Sequence, residues 1–161
     1  MRAGRVVRVN VAAEGGVPKR PVVAALLTVH GVAGDRQRNL KYHGGPDRAV
    51  CLYSQERIDA LIAEGHPISA GSTGENLTIA GLAWEELRVG DRLAVGEVAV
   101  LELTEPTTPC RTIAGSFKKG EFKRISDVLH PGWSRFYARV VIEGLVREGA
   151  QVRRLDPDDA P

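Results

Sequence analysis

VGDRLAVGEVAVLELTEP, Val89 to Pro106, alternates apolar and polar residues on both sides of Gly96-Glu97. Alternation at period two places one face of each arm in a core, and a glycine between the arms suits a tight turn. The stretch therefore predicts a hairpin, with arms at Arg92 to Val95 and Val98 to Leu103. Pro106 ends the second arm, because it has no N–H to give to a ladder. Working outward, Gly4 to Val11 sets Val6, Val7, Val9 and Val11 among polar residues, and Val22 to Val29 is a β-branched apolar run. Ala49 to Tyr53, Asn76 to Ile79, Phe136 to Ile142 and Gln151 to Leu155 also read as strands. Two segments carry helical spacing instead. SQERIDALIAEG offers Ser54 as N-cap, followed by Ile58, Leu61 and Ile62; EFKRISDVLH carries Phe122, Ile125, Val128 and Leu129 and stops before Pro131. Many short strands with two helices predict a mainly β domain, α+β by content, built on a closed or nearly closed barrel with short helices around it.

The 161 residues fit one domain, expected over 1–155, with 156–161 as a flexible tail. A hydrophobic share of 43% and a charged share of 26% exclude the disordered and fibrous classes. With 22 Lys and Arg against 20 Asp and Glu, scattered along the chain, there is no basic run of the kind that grips nucleic acid. No apolar stretch approaches the ~20 residues that span a bilayer. The opening MRAGRVVRVNVAAEGG alternates where a signal peptide would be continuously apolar, so the expected location is cytoplasmic. The two cysteines, Cys51 and Cys110, are accordingly expected as reduced thiols.

Their contexts differ. Cys51 lies between Val50 and Leu52 in an apolar strand, where a free cysteine packs as a small hydrophobe. Cys110 closes TEPTTPC. Thr107 or Thr108 can cap a helical turn, Pro109 suits its first position, and CRTIAGSF can continue it, which would set the thiol where backbone N–H groups converge. Adjacent Arg111 adds positive charge, and both influences favour thiolate, the form that attacks electrophiles and binds soft metals. The alternative is a small residue at a strand-to-helix corner with no chemistry.

Between the second and third strands lies GVAGDRQRNLKYHGGPDRA, long, polar and without period. Arg36, Lys41, His43 and Arg48 in this loop, with Gly44-Gly45 allowing close backbone approach, suit an anionic ligand such as phosphate. A solvated loop with its charges in water is the competing reading. In GSTGENLTIAG, Glu75 and Asn76 either form a turn or present an amide that pairs with a heterocycle edge.

Taken together, GDRQ at Gly34 to Gln37, KYHGGPDRAVCLYS at Lys41 to Ser54, GSTGENLT at Gly71 to Thr78, VGDRLAVG at Val89 to Gly96 and ELTEPTTPC at Glu102 to Cys110 resemble the MOSC domain, the family named after the C-terminal region of molybdenum cofactor sulfurases. The likeness follows order and spacing over nearly the whole chain, and is strongest to small stand-alone bacterial members. It implies a β-barrel fold that binds molybdenum cofactor of the molybdopterin type. Cys110 would be the thiolate ligand to molybdenum or a sulfur carrier. Asn76 and Arg48 would contact the pterin and Arg36, Lys41 and His43 the phosphate end, with Glu75 and Arg111 completing the site. Many relatives carry arginine after the first proline, as PRxPC, where this chain has Thr107. The activities implied are reduction of a small N-hydroxylated substrate with an external electron-donor reductase, or sulfur transfer through a Cys110 persulfide fed by a cysteine desulfurase. A cofactor-binding carrier without turnover is the non-enzymatic alternative.

Overall fold

A computed structural model of the chain describes residues 3–36 and 45–159. The hairpin around Gly96 forms as β7, Arg92–Val95, and β8, Ala99–Pro106. β8 runs past Leu103 because its register against the neighbouring strand shifts between Leu103 and Glu105, a bulge that spares Thr104 from pairing. The other barrel strands are β1, Gly4–Val11; β5, Val50–Ser54; β6, Leu77–Ala80; β9, Phe136–Ile142; and β11, Gln151–Arg154. Hydrogen bonding runs in the order β11-β7-β8-β9-β5-β6-β1, and a further pairing of β1 with β11 closes the seven strands into a barrel. Pairing is antiparallel except at β5–β6. That parallel step needs a crossover, which the helix α1, Gln55–Ala63, supplies. Ser54 caps α1 as expected, its Oγ accepting from the Arg57 N–H at 3.1 Å. No helix among the described residues is long and apolar enough to cross a membrane.

Alternation along the strands sorts the two faces of the barrel wall. Leu52, Leu77, Val9 and Phe136 are register partners and all belong to the buried apolar core, with Leu93, Leu101 and Leu103 from the hairpin side. Cys51, Tyr53, Thr78 and Tyr137 occupy the alternate positions, and so face outward under the covering loops.

Three expectations change. The run from Val22 to Val29 is not one strand. It breaks at the exposed Val23 into β2, Arg20–Val22, which pairs with β1, and β3, Ala24–Thr28, which leaves the barrel to join a second sheet. That sheet has the order β10-β3-β4, where β4 is Gly31–Val32 and β10 is Gly144–Arg147, a strand the sequence pattern did not mark. The second helix is absent: Phe122–Ile125 makes a 3-10 turn, Ile125 is buried, and Val128 is 89% exposed. The Asp127 carboxylate takes the Gly132 N–H and the Ser126 hydroxyl takes that of Leu129, local bonds that draw the backbone away from a helical ladder. Leu101→Ala, in the sealed core, is expected to lower unfolding free energy by about 2–5 kcal/mol. Val128→Ala should leave it within about 0.5 kcal/mol; urea denaturation of both variants checks the contrast, and a large loss at Val128 would contradict the exposed placement.

Candidate functional site

The outward polar face of the β1-β6-β5 wall is organised by one carboxylate. Asp35, whose side chain is 4% exposed, accepts from the Ala12 N–H at 2.8 Å and from the Asn76 amide at 2.8 Å, and forms an ion pair with the buried Lys19 ammonium. Asn76 continues the network inward. Its Oδ1 accepts from the Cys51 N–H at 3.0 Å, its Nδ2 donates also to the Asn10 carbonyl at 3.2 Å, and its own N–H donates to the Cys51 carbonyl at 2.8 Å. Glu75 is fully buried beside it and accepts from the Gly71 N–H and from the hydroxyls of Thr73 and Thr78. Both side chains of the GEN turn are thus engaged inside the protein. Gly71 has to be glycine: it has φ +84°, and a Cβ there would stand 2.4 Å from the Lys19 carbonyl oxygen.

Beside this wall, a cleft of about 390 Å³ is lined by Thr28, His30, Asp35, Arg36, Gly45 and Arg48 among others. The structure therefore brings together Arg36, which is exposed, and Arg48, which is partly buried. Lys41 and His43 lie outside the described residues. Arg48 ends a 3-10 turn, Pro46–Arg48, that docks on the end of β8: its Nε donates to Glu105, its guanidinium lies 5.4 Å from the centre of the Tyr137 ring, and the Thr104 hydroxyl donates to the Asp47 carbonyl. The β8 bulge is what turns Thr104 and Glu105 toward that turn. The same strand end leads into the Cys110 loop, so one bulge ties the arginine loop to the thiol loop.

Cys110 sits at the N-cap position of a 3-10 turn, Arg111–Ser116, rather than inside a turn capped by Thr107 or Thr108. Thr107 and Pro109 are buried, Cys110 is partly exposed, and Arg111 is exposed. The Cys110 Sγ stands 2.7 Å from the Thr112 hydroxyl. Cys110 and Arg111, like Glu75 and Asn76, do not line the arginine cleft. Cys51 behaves differently. It is 4% exposed, its Sγ lies 3.8 Å from the Thr107 hydroxyl, and burial pushes its thiol pKa up against a smaller lowering by Arg135. Tyr53 and Tyr137 on the same face are also raised, in each case chiefly by burial.

Three contributors were not singled out by the sequence. Asp35 lay within GDRQ beside the chosen Arg36. Lys19 is a lone lysine ahead of a short strand and carries no local signal. Arg135 stands opposite Thr107, whose N–H donates to the Arg135 carbonyl at 2.8 Å; it is 6% exposed, donates through Nη1 to the Thr73 carbonyl, and its Nε has no partner among the described residues. No group of three or more His, Cys, Asp and Glu suited to a metal occurs among the described residues.

The model of the MOSC domain matches residues 39–153. The uncharacterized protein YflK of Bacillus subtilis is 37% identical over 146 residues, covering 88% of this chain and 64% of YflK. A protein named reductase from Gibberella moniliformis is 30% identical over 131 residues, 78% of this chain and 23% of its own length. The chain thus spans less than two thirds of these relatives. The crystal structure of YiiM from Geobacillus stearothermophilus superposes with a TM-score of 0.72 at 26% identity, over 95% of this chain and 75% of that one.

Replacing Asn76 with alanine would strip partners from the Cys51 N–H, the Asn10 carbonyl and Asp35, and is expected to lower stability by roughly 2–4 kcal/mol in chemical denaturation. An unchanged midpoint would remove Asn76 from the network. Under native conditions iodoacetamide should alkylate Cys110 and spare Cys51 until the protein unfolds, as peptide mass mapping would reveal. The raised Cys51 pKa favours the protonated thiol in the folded state. Its stabilising effect is complete below the ordinary thiol value of 9.0 and declines as pH rises beyond it, so alkaline titration of unfolding should show a smaller decline in Cys51→Ala.

Proposed function

We propose, from the premise that this chain belongs to the MOSC domain family, that it binds molybdenum cofactor and acts as an oxidoreductase on N-hydroxylated compounds. The observation that carries the reading is the contrast between the two thiols: Cys110 is partly exposed at the head of a turn, with a hydroxyl 2.7 Å from its sulfur, while Cys51 is buried on the barrel wall. A soft metal takes a thiolate, and Cys110 is the accessible one. The wider donor set fits an anionic cofactor: Arg36 and Arg48 border the cleft, and the buried Arg135 has an Nε–H with no acceptor among the described residues. When bound, the cofactor supplies a metal centre that exchanges two electrons and accepts an oxygen atom.

The protein's own residues have positioning roles. With Cys110 as thiolate, the one proton between the two groups is that of Thr112, whose hydroxyl then donates to the sulfur and sets its direction. Arg48 is held by Glu105 and by the Tyr137 ring, which fixes a cation at the cleft. The net change is that R–NHOH takes two electrons and two protons to give R–NH2 and water, so an outside reductant is required. A relative named reductase, 30% identical, supports this class of chemistry.

Sulfur transfer is the second reading, favoured by the lone accessible thiol, since a Cys110 persulfide needs no metal. Elemental analysis decides between them. Protein from a host that makes molybdenum cofactor should carry near-stoichiometric molybdenum as wild type and as Cys51→Ala, and lose it, with hydroxylamine reductase activity, as Cys110→Ser. Wild type free of molybdenum but carrying a persulfide at Cys110 would overturn the first reading in favour of the second.

A further inference from the structure

One surface segment combines basic residues with exposed apolar ones. Residues 118–130 hold Lys118, Lys119, Lys123 and Arg124 against Glu121 and Asp127. Two of these cations are committed: Arg124 makes paired bonds to Glu64 at 2.7 and 2.9 Å, and Lys118 Nζ donates to the Glu64 carbonyl. Lys119 and Lys123 are exposed and form no ion pair among the described residues. With Phe122, Leu129 and His130 they line a cleft of about 490 Å³. Leu129 is 59% exposed, and Val128 at 89% is the most exposed of the large hydrophobic side chains described. The result is an exposed apolar surface bordered by Lys119 and Lys123, with one carboxylate, Glu121, in the same lining. It lies on turns that pack directly against the 3-10 turn beginning at Cys110.

We propose that this patch is the docking surface for an acidic electron-donor protein, an inference that rests on the oxidoreductase reading. Three observations favour such a partner. The exposed apolar residues, Val128 and Leu129, offer a surface that a partner can cover. Lysines at the rim, rather than buried within the contact, steer association without trapping the partner. The patch also adjoins the turn headed by Cys110, which keeps the transfer path short. An acidic membrane is less well matched, since surface binding takes clusters of about four to eight basic residues.

The test uses an acidic [2Fe–2S] ferredoxin as probe, titrated calorimetrically into wild type, Lys119→Glu/Lys123→Glu, Leu129→Ser and Cys110→Ser. Wild type should bind saturably at low salt and weaken steeply as ionic strength rises. The charge-reversed variant should weaken by about tenfold or more, Leu129→Ser by a smaller factor, and Cys110→Ser should bind like wild type. Absence of saturable binding, or binding indifferent to both patch variants, overturns the proposal. So does patch-dependent binding to phosphatidylglycerol vesicles with none to ferredoxin. If ferredoxin binds at the patch but dithionite drives no reduction of an N-hydroxylated substrate, the docking surface stands and the oxidoreductase reading falls.

Discussion

A carboxylate buried against a β-sheet is tolerable only if both oxygens find donors and its charge finds a cation. Asp35 meets that demand through the Ala12 N–H, the Lys19 ammonium and the Asn76 amide. Those donors come from segments far apart in sequence, and they converge only when the loop after β1, the loop after β4 and the loop before β6 are all seated against the wall. The Asn76 amide passes the same constraint to the backbone of β5 through Cys51. The arginine cleft and the polar outer face are therefore built around one buried charge.

A second charged pair lies deeper on this face. Arg135 donates to the Thr73 carbonyl, and the Thr73 hydroxyl donates to Glu75, so opposite charges are linked through a neutral residue instead of meeting. Both act on Cys51 and Tyr53, Arg135 lowering their pKa values and Glu75 raising them, but burial is the larger influence in each case. Cys51, Tyr53 and Tyr137 on this wall therefore keep their protons at neutral pH. Cys110, beyond the end of β8, escapes this burial. The two thiols differ in position: Cys51 lies within β5 and pairs with Tyr137 of β9, whereas Cys110 follows the end of β8, after Pro106 and Pro109.

Alternation and turn chemistry made most of the barrel legible. β1, β5, β7 and β9, the Ser54 cap and the Gly96 turn all rest on local signals. What escaped was set by partners distant in sequence. Nothing near Gly144 announces β10, whose residues are strand-forming only because Ala24–Thr28 runs beside them. The helical spacing from Phe122 to Leu129 was overridden where Ser126 and Asp127 took backbone donors for themselves. At the site, Cys110, Arg36 and Arg48 stood out by residue type and by the glycines and prolines around them. Lys19 and Arg135 did not, because a buried cation is identified by what surrounds it in space. Glu75 and Asn76 were noticed for the right turn, while their bonds inward depend on Asn10, Cys51 and Gly71, which no spacing rule connects.

The seam between β1 and β11 pairs Gly4 with Val152, and Val6 exchanges backbone bonds with Gly149 and Ala150. Closure of the barrel therefore waits on residues separated by nearly the whole described chain. In chain order β1 precedes the other strands described, and one of its edges stays unpaired until β11 is made. An open edge of that kind is the template on which strands of other molecules add. The interval before closure is thus when this protein is most exposed to misassembly, and the high contact order that makes the barrel slow to complete is the same feature that removes the edge once folding ends.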